Sequence, residues 1–377
     1  MTTRMRRQRR SSGRFRWNLK ESETVLKLRL NYQKENLKFN LYMNLKAGSL
    51  FAGIGGFCLG LKHLGIETAW AVENDQAAVA TYKKNFPTIR IVSDSNGPKS
   101  VTEVGVTKDE LEPVDILHAG FPCQSFSGAG ERKGFADPRG KLFYEIIRIV
   151  NEFGKLRPSV IILENSPFLR LGEGGEWFLE ISKELKKAGY WFGNNNAIEI
   201  DSYRYTNLPQ KRNRLFMLAF NYNKFKNGRF KPIFPEVTSE KNLSHFIDYS
   251  GKIGDEYYLS PENRYYKMIS ERFIDNQRLY QLRKYMVRVK EPNECPTLTA
   301  NMGLGGHNVP FVFDNKGLRK LTEYECLKLQ GFPDWFEFPN EVITTRRYQQ
   351  IGNSVVPAVV EILGKIVIEK IQTERYE

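Results

Sequence analysis

Short apolar runs alternate with longer stretches of helical spacing through the first half of the chain. Ala47-Gly48-Ser49-Leu50-Phe51, Ala69-Trp70-Ala71-Val72, Val114-Asp115-Ile116-Leu117-His118-Ala119, Val160-Ile161-Ile162-Leu163 and Leu215-Phe216-Met217-Leu218-Ala219-Phe220 each read as a strand. Near-continuous apolar character marks strands covered on both faces, since a strand with one wet face alternates apolar and polar positions. Residues 57–64, 142–153 and 177–188 carry helical spacing between them. This alternation predicts the α/β class, a Rossmann-like doubly wound parallel sheet. Ligands of such sheets sit at the carboxyl ends of the strands. Gly53, Glu73, Cys123 and Glu164 follow the first four strands in turn.

The texture changes after about residue 221. Residues 222–318 are rich in Tyr, Arg, Lys and Asn, with weak periodicity and few long apolar runs, which predicts a second, smaller and irregular domain. Residues 354–371 form an apolar stretch of helical length that is expected to pack back on the first domain.

Composition narrows the classes. The 377 residues leave room for two or three domains. No window approaches eighteen consecutive apolar residues, so no membrane span is expected, and the charged N-terminus lacks the apolar segment of a secretory signal. Cys58, Cys123, Cys295 and Cys326 lie far apart without CxxC pairs. That argues against a metal site or disulfide framework and for a reducing cytoplasm. The net charge of +14 suggests a polyanionic partner. Yet residues 1–46 hold thirteen Lys and Arg against three Glu, so the rest of the chain carries only +4. The basic arm is expected to be a solvated, disordered tail first and a nonspecific phosphate-binding arm second. Met43, directly before the first strand, is a third reading, as a natural start.

The strand ends carry the candidate chemistry. Phe51-Ala52-Gly53-Ile54-Gly55-Gly56-Phe57 lets the backbone approach a ligand closely. Cys58 stands where the dinucleotide fingerprint has its third glycine, so this loop alone also fits an ordinary tight turn. Glu73 is spaced as an acid that holds ribose hydroxyls; with the glycine loop it favours an adenosyl ligand. Cys123 follows a proline in a loop with Gln124, Ser125, Ser127, Gly128 and Gly130. Such a loop is a poor place to bury a structural thiol and suits a reachable thiolate nucleophile. His118 is read as a core residue at a strand end rather than a base. Glu164-Asn165 ends the fourth strand, where parallel topology brings Glu164 toward Cys123. Gln210-Lys211-Arg212-Asn213-Arg214 opens the fifth, with Arg212 and Arg214 on one face and able to hold a carboxylate, phosphate or carbonyl oxygen. Singly, each of these last two motifs also fits a structural role.

Taken in order, the series resembles the motifs of the DNA (cytosine-5)-methyltransferase family, in its prokaryotic or phage modification form. Phe51 to Phe57 is similar to its cofactor loop, Gly120 to Ser127 to its Pro-Cys-Gln loop, Glu164-Asn165 to its Glu-Asn pair and Gln210 to Arg214 to its Gln-x-Arg-x-Arg motif. Arg319-Lys320-Leu321-Thr322 through Leu329-Gln330-Gly331-Phe332-Pro333 and Gln350-Ile351-Gly352-Asn353-Ser354-Val355-Val356-Pro357 are similar to its two late motifs. The likeness runs from about Gly48 to Ile371. It departs at Ser166-Pro167, where the family has valine after the Glu-Asn pair, and at Ser93-Asp94, where glycine is common before the acid. The basic arm has no counterpart in minimal members.

The resemblance implies a class I methyltransferase fold with S-adenosyl-L-methionine as cofactor and no metal. Residues 47–221 would be the catalytic and cofactor-binding domain after a 1–46 extension, 222–344 the target-recognition domain and hinge, and 345–377 a helix returning to the catalytic domain. Cys123, Glu164, Arg212 and Arg214 would be catalytic: Cys123 adds to carbon 6 of cytosine, Glu164 binds N3 and the exocyclic amine, Arg214 holds O2, and Arg212 supports the carboxylate and loop. Phe51, Gly53, Gly55, Gly56, Glu73, Asn74, Asp94, Pro122, Leu142, Asn353 and Ser354 would bind the cofactor. Gln124, Ser127, Thr297, Thr299, Asn301 and Gly303 would contact double-stranded DNA, with the basic, tyrosine-bearing stretch 278–290 also expected near a groove. The implied protein is a cytoplasmic monomer paired with a restriction endonuclease. An RNA cytosine methyltransferase, a repressor that kept the fold and lost the chemistry, and a dinucleotide oxidoreductase are the rival readings. The Pro-Cys-Gln motif and the variable region before Arg319 favour DNA, and the intact catalytic set disfavours the repressor. The oxidoreductase fits only the glycine loop.

Overall fold

The computed structural model describes residues 45–122, 140–228, 230, 232–283, 286–303 and 309–375. The expected nucleophile Cys123, its neighbours Gln124 and Ser127, and the basic arm lie outside these residues.

The first part of the chain runs β1 (Lys46–Leu50), α1 (Gly56–Lys62), β2 (Glu67–Val72), α2 (Gln76–Asn85) and β3 (Arg90–Ile91). A hairpin of β4 (Ser93–Asp94) and β5 (Gly97–Pro98) follows, then β6 (Ile116–Ala119), α3 (Leu142–Glu152), β7 (Val160–Asn165) and α4 (Glu176–Lys187). β8 (Tyr190–Trp191), β9 (Ala197–Asp201) and β10 (Asn213–Asn221) complete it. The strands form one sheet in the order β3-β2-β1-β6-β7-β10-β8, with β9 also paired to β10. The runs read as doubly covered are so: every residue of β6 is buried, as is β10 from Leu215 onward. Alternate side chains feed two layers. Leu50, Trp70, Leu117, Ile161 and Met217 join α3 and α4 on one face, while Ile54, Cys58, Ala78 and Tyr82 form the layer of α1 and α2 on the other.

The doubly wound sheet is parallel except at one side. β3, β2, β1, β6 and β7 are parallel, but β10 runs antiparallel to β7, β8 and β9. Apolar periodicity carries no strand direction, because a doubly covered strand reads the same either way. The reversal brings the beginning of β10, with Arg212 and Arg214, to the edge where the parallel strands end.

The region expected to be irregular holds regular structure. After α5 (Arg264–Ser270), β11 (Tyr280–Arg283), β12 (Met286–Val289), β13 (Pro310–Phe313) and β14 (Leu318–Lys320) form an antiparallel sheet in the order β12-β11-β13-β14. Ile269, Tyr280, Leu282, Phe311 and Leu318 are its core. The basic stretch 278–290 supplies β11 and the edge strand β12. Buried Arg319 then ties β14 to α6 (Glu323–Leu329), through Asp314 Oδ2 at 2.7 Å and both oxygens of Glu325 at 2.8 Å. Thr322 and Glu325 close a capping box at the start of α6.

The chain ends in α7 (Thr344–Asn353) and α8 (Pro357–Glu374). This run is long and apolar enough to cross a membrane by composition, yet it is mostly buried inside the protein. α8 lies against α1 with no room for larger side chains. A Cβ at Gly60 would come within 2.5 Å of Pro357 O, and one at Gly364 within 2.4 Å of Leu64.

Candidate active site

β1 leads outward to β2 on one side and pairs with β6 on the other, so the loops after β1 and β6 diverge and open a crevice at their carboxyl ends. Gly53 bends the first loop at a φ of +54°, and the space where its Cβ would stand is open. The Gly53 and Asp75 amides donate to the two oxygens of Glu73, at 2.9 and 2.8 Å. Burial pushes the Glu73 carboxyl above its ordinary pKa, against the pull of those amides. The acid thus joins the β1 loop to the end of β2.

Glu164 stands at the opposite side of the crevice. Arg214 Nε lies 3.2 Å from its Oε1, and a Cβ at Gly120 would lie 3.5 Å from its Oε2. The carboxylate is therefore directly beneath the loop that continues to Cys123. Burial raises its pKa, opposed by the charges of Arg214 and then Arg212. Asn165 anchors the same loop, its Nδ2 donating to Phe121 O at 3.1 Å. The Ser166-Pro167 departure leaves this intact, since Ser166 and Pro167 begin a short turn of helix, Phe168–Leu171.

Arg212 is held by three backbone carbonyls. Its guanidinium, buried, donates to Leu298 O at 2.6 Å, Gly352 O at 2.9 Å and Ser354 O at 2.8 Å. It also lines the cavity, and its charge favours the ionised form of Glu164. Gln210 completes a closed ring: it accepts from Leu298 N at 3.0 Å and donates to Gln330 Oε1 at 2.8 Å, and Gln330 donates to Ser354 O at 2.6 Å. Thr297 Oγ1 donates to Lys211 O at 2.6 Å, and Thr299 Oγ1 to Asn301 Oδ1 at 2.6 Å. The expected recognition segment, whose helical turn ends at Gly303, is thus seated on the start of β10.

A cavity of ≈ 300 Å³ fills the crevice, within the range of small-molecule pockets. Phe51, Gly53, Glu73 and Asn74 line it from the β1–β2 side; Pro122, Leu142, Glu164 and Arg214 line it from the β6–β7 side; Asn353 closes it from α7. Three expected cofactor residues stand behind the wall. Gly55 lets Phe86 approach, Gly56 packs on Ser354 and Val355, and Ser354 gives its carbonyl to Arg212. Asp94 does not reach the cavity. It is exposed in the β4–β5 hairpin, where its side chain accepts from Asn96 N, and Ser100 and Val101 line the wall instead. Asp75, Arg346 and Gln349, outside the sequence motifs, also line the cavity, as does Gln350 of the last motif. The helical spacing of 346, 350 and 353 in one chain segment was the available signal.

His118 is a core residue. It stacks on Phe57 at 4.6 Å, and burial pulls its pKa down to about 3. Because the folded value lies below the unfolded one of about 6.5, its contribution is fully present above pH 6.5 and is lost as pH falls toward 3. Between pH 7 and pH 5 the wild type should lose about 2 kcal/mol more stability than His118→Asn. Urea unfolding of both proteins at the two pH values checks this. The comparison cancels Glu73 and Glu164, whose raised values act in the opposite sense. Equal slopes would show that His118 is not buried neutral.

A Rossmann-like sheet with an acid after β2, and an arginine-held carboxylate beneath the loop after β6, is the architecture of a class I methyltransferase. The sequence model described as C-5 cytosine-specific DNA methylase matches residues 45–369. The Type II methyltransferase M.Bsp6I of Bacillus sp. (strain RFL6) is 38% identical over 325 residues, covering 85% of this chain and 98% of that protein. The Type II methyltransferase M.HhaI of Haemophilus parahaemolyticus is 29% identical over 338 residues, covering 84% and 91%. Among solved structures, the S. pombe Dnmt2 methyltransferase superposes with a TM-score of 0.64 at 18% identity, covering 86% of this chain and 98% of that one. The Entamoeba histolytica methyltransferase EhMeth gives 0.62 at 19%, with the same coverage; at such identity these two speak for the fold alone. The chain belongs to the C-5 cytosine-specific DNA methylase family and is a DNA cytosine-5 methyltransferase.

Proposed function

We propose that the chain methylates carbon 5 of a cytosine flipped out of a specific duplex DNA sequence, through a covalent bond between Cys123 and carbon 6, as the modification arm of a restriction–modification system acting in the cytoplasm. The observation that carries the reading is the placement of Glu164, held by Arg214 beneath the loop leading to Cys123, across one cavity from Glu73. The residues fit S-adenosylmethionine. Glu73 suits the ribose diol, and Gly53 leaves space for close backbone approach. When bound, that cofactor supplies an electrophilic methyl group.

Carbon 5 of cytosine is a weak nucleophile. Addition of the Cys123 thiolate to carbon 6 forms the S–C bond and sends the ring π electrons to carbon 5, which then takes the methyl. Glu164 meets N3 and the exocyclic amine; its raised pKa suits a carboxyl that shares a proton with N3. Arg214 holds O2. Loss of the carbon 5 proton to water re-forms the double bond and expels Cys123 as its thiolate. Flipping the base costs roughly a few kcal/mol, and the expected contacts of Gln124, Ser127, Thr297, Thr299, Asn301 and Gly303 with DNA would offset it.

Labelled methyl groups should pass from S-adenosylmethionine to duplex DNA and not to tRNA, and bisulfite sequencing of DNA from expressing cells should show one protected sequence. Transfer to tRNA alone would establish the RNA reading, and no transfer to either would revive the repressor.

A further inference from the structure

The small sheet has two unlike faces. Cross-strand partners share a face, so the pairings of Tyr280 with Val289 and Phe311, and of Leu282 with Val287, gather these residues over α5. The other face carries Gln281, Arg283, Met286, Arg288 and Val312. Val312 shares one apolar cluster with Leu298 and Met302 of the recognition segment and with Ile351 of α7. This second face therefore looks toward the seat of that segment on the start of β10. It is covered at Gln281 and open at the edge strand β12, where Met286 and Arg288 are exposed.

The basic residues of the stretch 278–290 differ in what holds them. Arg278 is paired with Asp275 at 3.0 Å and Glu291 at 3.6 Å, and Lys290 with Glu294 at 3.3 Å. The Arg288 side chain makes no hydrogen bond or ion pair among the described residues. Its diagonal neighbour on the same face is a second cation, Arg283, whose pKa is lowered by burial first and by the charge of Arg288 second. Like charges set together across a sheet are destabilising. A polyanion that brings acceptors to this face offsets that cost.

Building on the reading that the substrate is a specific duplex sequence, we propose that Arg288, with Arg283 beside it, reads a guanine of that sequence in the major groove. A two-stranded β-ribbon such as β11–β12 fits the major groove, and β12, as the edge strand, is the side of the ribbon that a duplex can reach. A guanidinium presents parallel N–H donors, and guanine alone presents two acceptors, O6 and N7, on its major-groove edge. A phosphate would answer the charge but carries no sequence information. Arg288 shares its face with residues packed on the recognition segment, which favours a base edge over the backbone as its partner.

Equilibrium binding of the full-length protein, with S-adenosylhomocysteine present, to duplexes carrying the sequence found by bisulfite sequencing tests the assignment. Each guanine is replaced in turn by 7-deazaguanine, which removes the N7 acceptor and keeps the Watson–Crick pair. At one guanine the replacement should weaken wild-type binding about tenfold. Arg288→Ala should bind the unmodified duplex about tenfold more weakly than wild type and lose less than about twofold further at that one guanine. Its losses at the remaining guanines should match those of wild type. Arg288→Lys keeps the charge and lacks the fork, so it should show the same indifference with an unchanged salt dependence; it also serves should Arg288→Ala fail to fold. A wild type insensitive at every guanine, or variants as sensitive as wild type at each, overturns the assignment. Equal losses on specific and unrelated duplexes, with a salt slope lower by about one, would make Arg288 a phosphate contact and overturn it as well. A wild type with no sequence preference overturns the reading on which the assignment rests.

Discussion

Glu164→Gln is expected to lower kcat about 10³-fold while S-adenosylhomocysteine binding stays near the wild-type value. The substitution preserves volume at a site packed between Gly120 and Arg214, so the cavity keeps its form. What it removes is chemical. Glutamine neither shares a proton with N3 nor balances the developing charge on the ring, and it leaves Arg214 without the carboxylate 3.2 Å from its Nε. An arginine left so in a partly buried site also destabilises the ligand-free protein. Single-turnover methyl transfer with saturating cofactor and DNA separates chemistry from binding. A rate within tenfold of wild type would remove Glu164 from the mechanism.

Cys123→Ala carries the larger effect. Without the thiolate no bond to carbon 6 forms, and methyl transfer should fall below detection. DNA binding should persist, because no expected groove contact is lost. Duplex DNA containing 5-fluorocytosine makes the distinction directly. The fluorine blocks loss of the carbon 5 substituent, so wild type and cofactor should give a covalent complex that survives denaturation, Glu164→Gln the same complex slowly, and Cys123→Ala none. A covalent complex with Cys123→Ala would place the nucleophile elsewhere.

The catalytic half of the molecule was legible because buried strands announce themselves by composition and their ends carry unusual residues. Glu73 and Glu164 stand where strand-end chemistry put them. The direction of β10 was not legible, since an apolar run reads the same in a parallel and an antiparallel strand. The small sheet escaped because β11 to β14 are strands of three or four residues, too short to set up a period. β12 alternates only between exposed and half-buried positions. Asp94 lies in the β4–β5 hairpin, whose turn outward and back to Ser100 is not legible in residue type. Arg212 and Gln350 show a different limit. That one satisfies three carbonyls and the other meets Thr81 of α2 are properties of contacts between distant segments, which residue type and spacing do not encode.

The seat of Arg212 has a consequence for the chain as it is made. Its acceptors belong to residues 298, 352 and 354, and domains emerge from the ribosome N-terminal end first. A nascent chain of 340 residues already has the whole β1–β10 sheet and the Glu164–Arg214 pair, yet it offers the guanidinium only one of its three carbonyls. Premature termination between Arg214 and Ser354 therefore yields a protein in which Glu73, Cys123, Glu164 and Arg214 are all present and the seat of Arg212 is not assembled. Nonsense fragments of this enzyme should be inert toward DNA rather than indiscriminate.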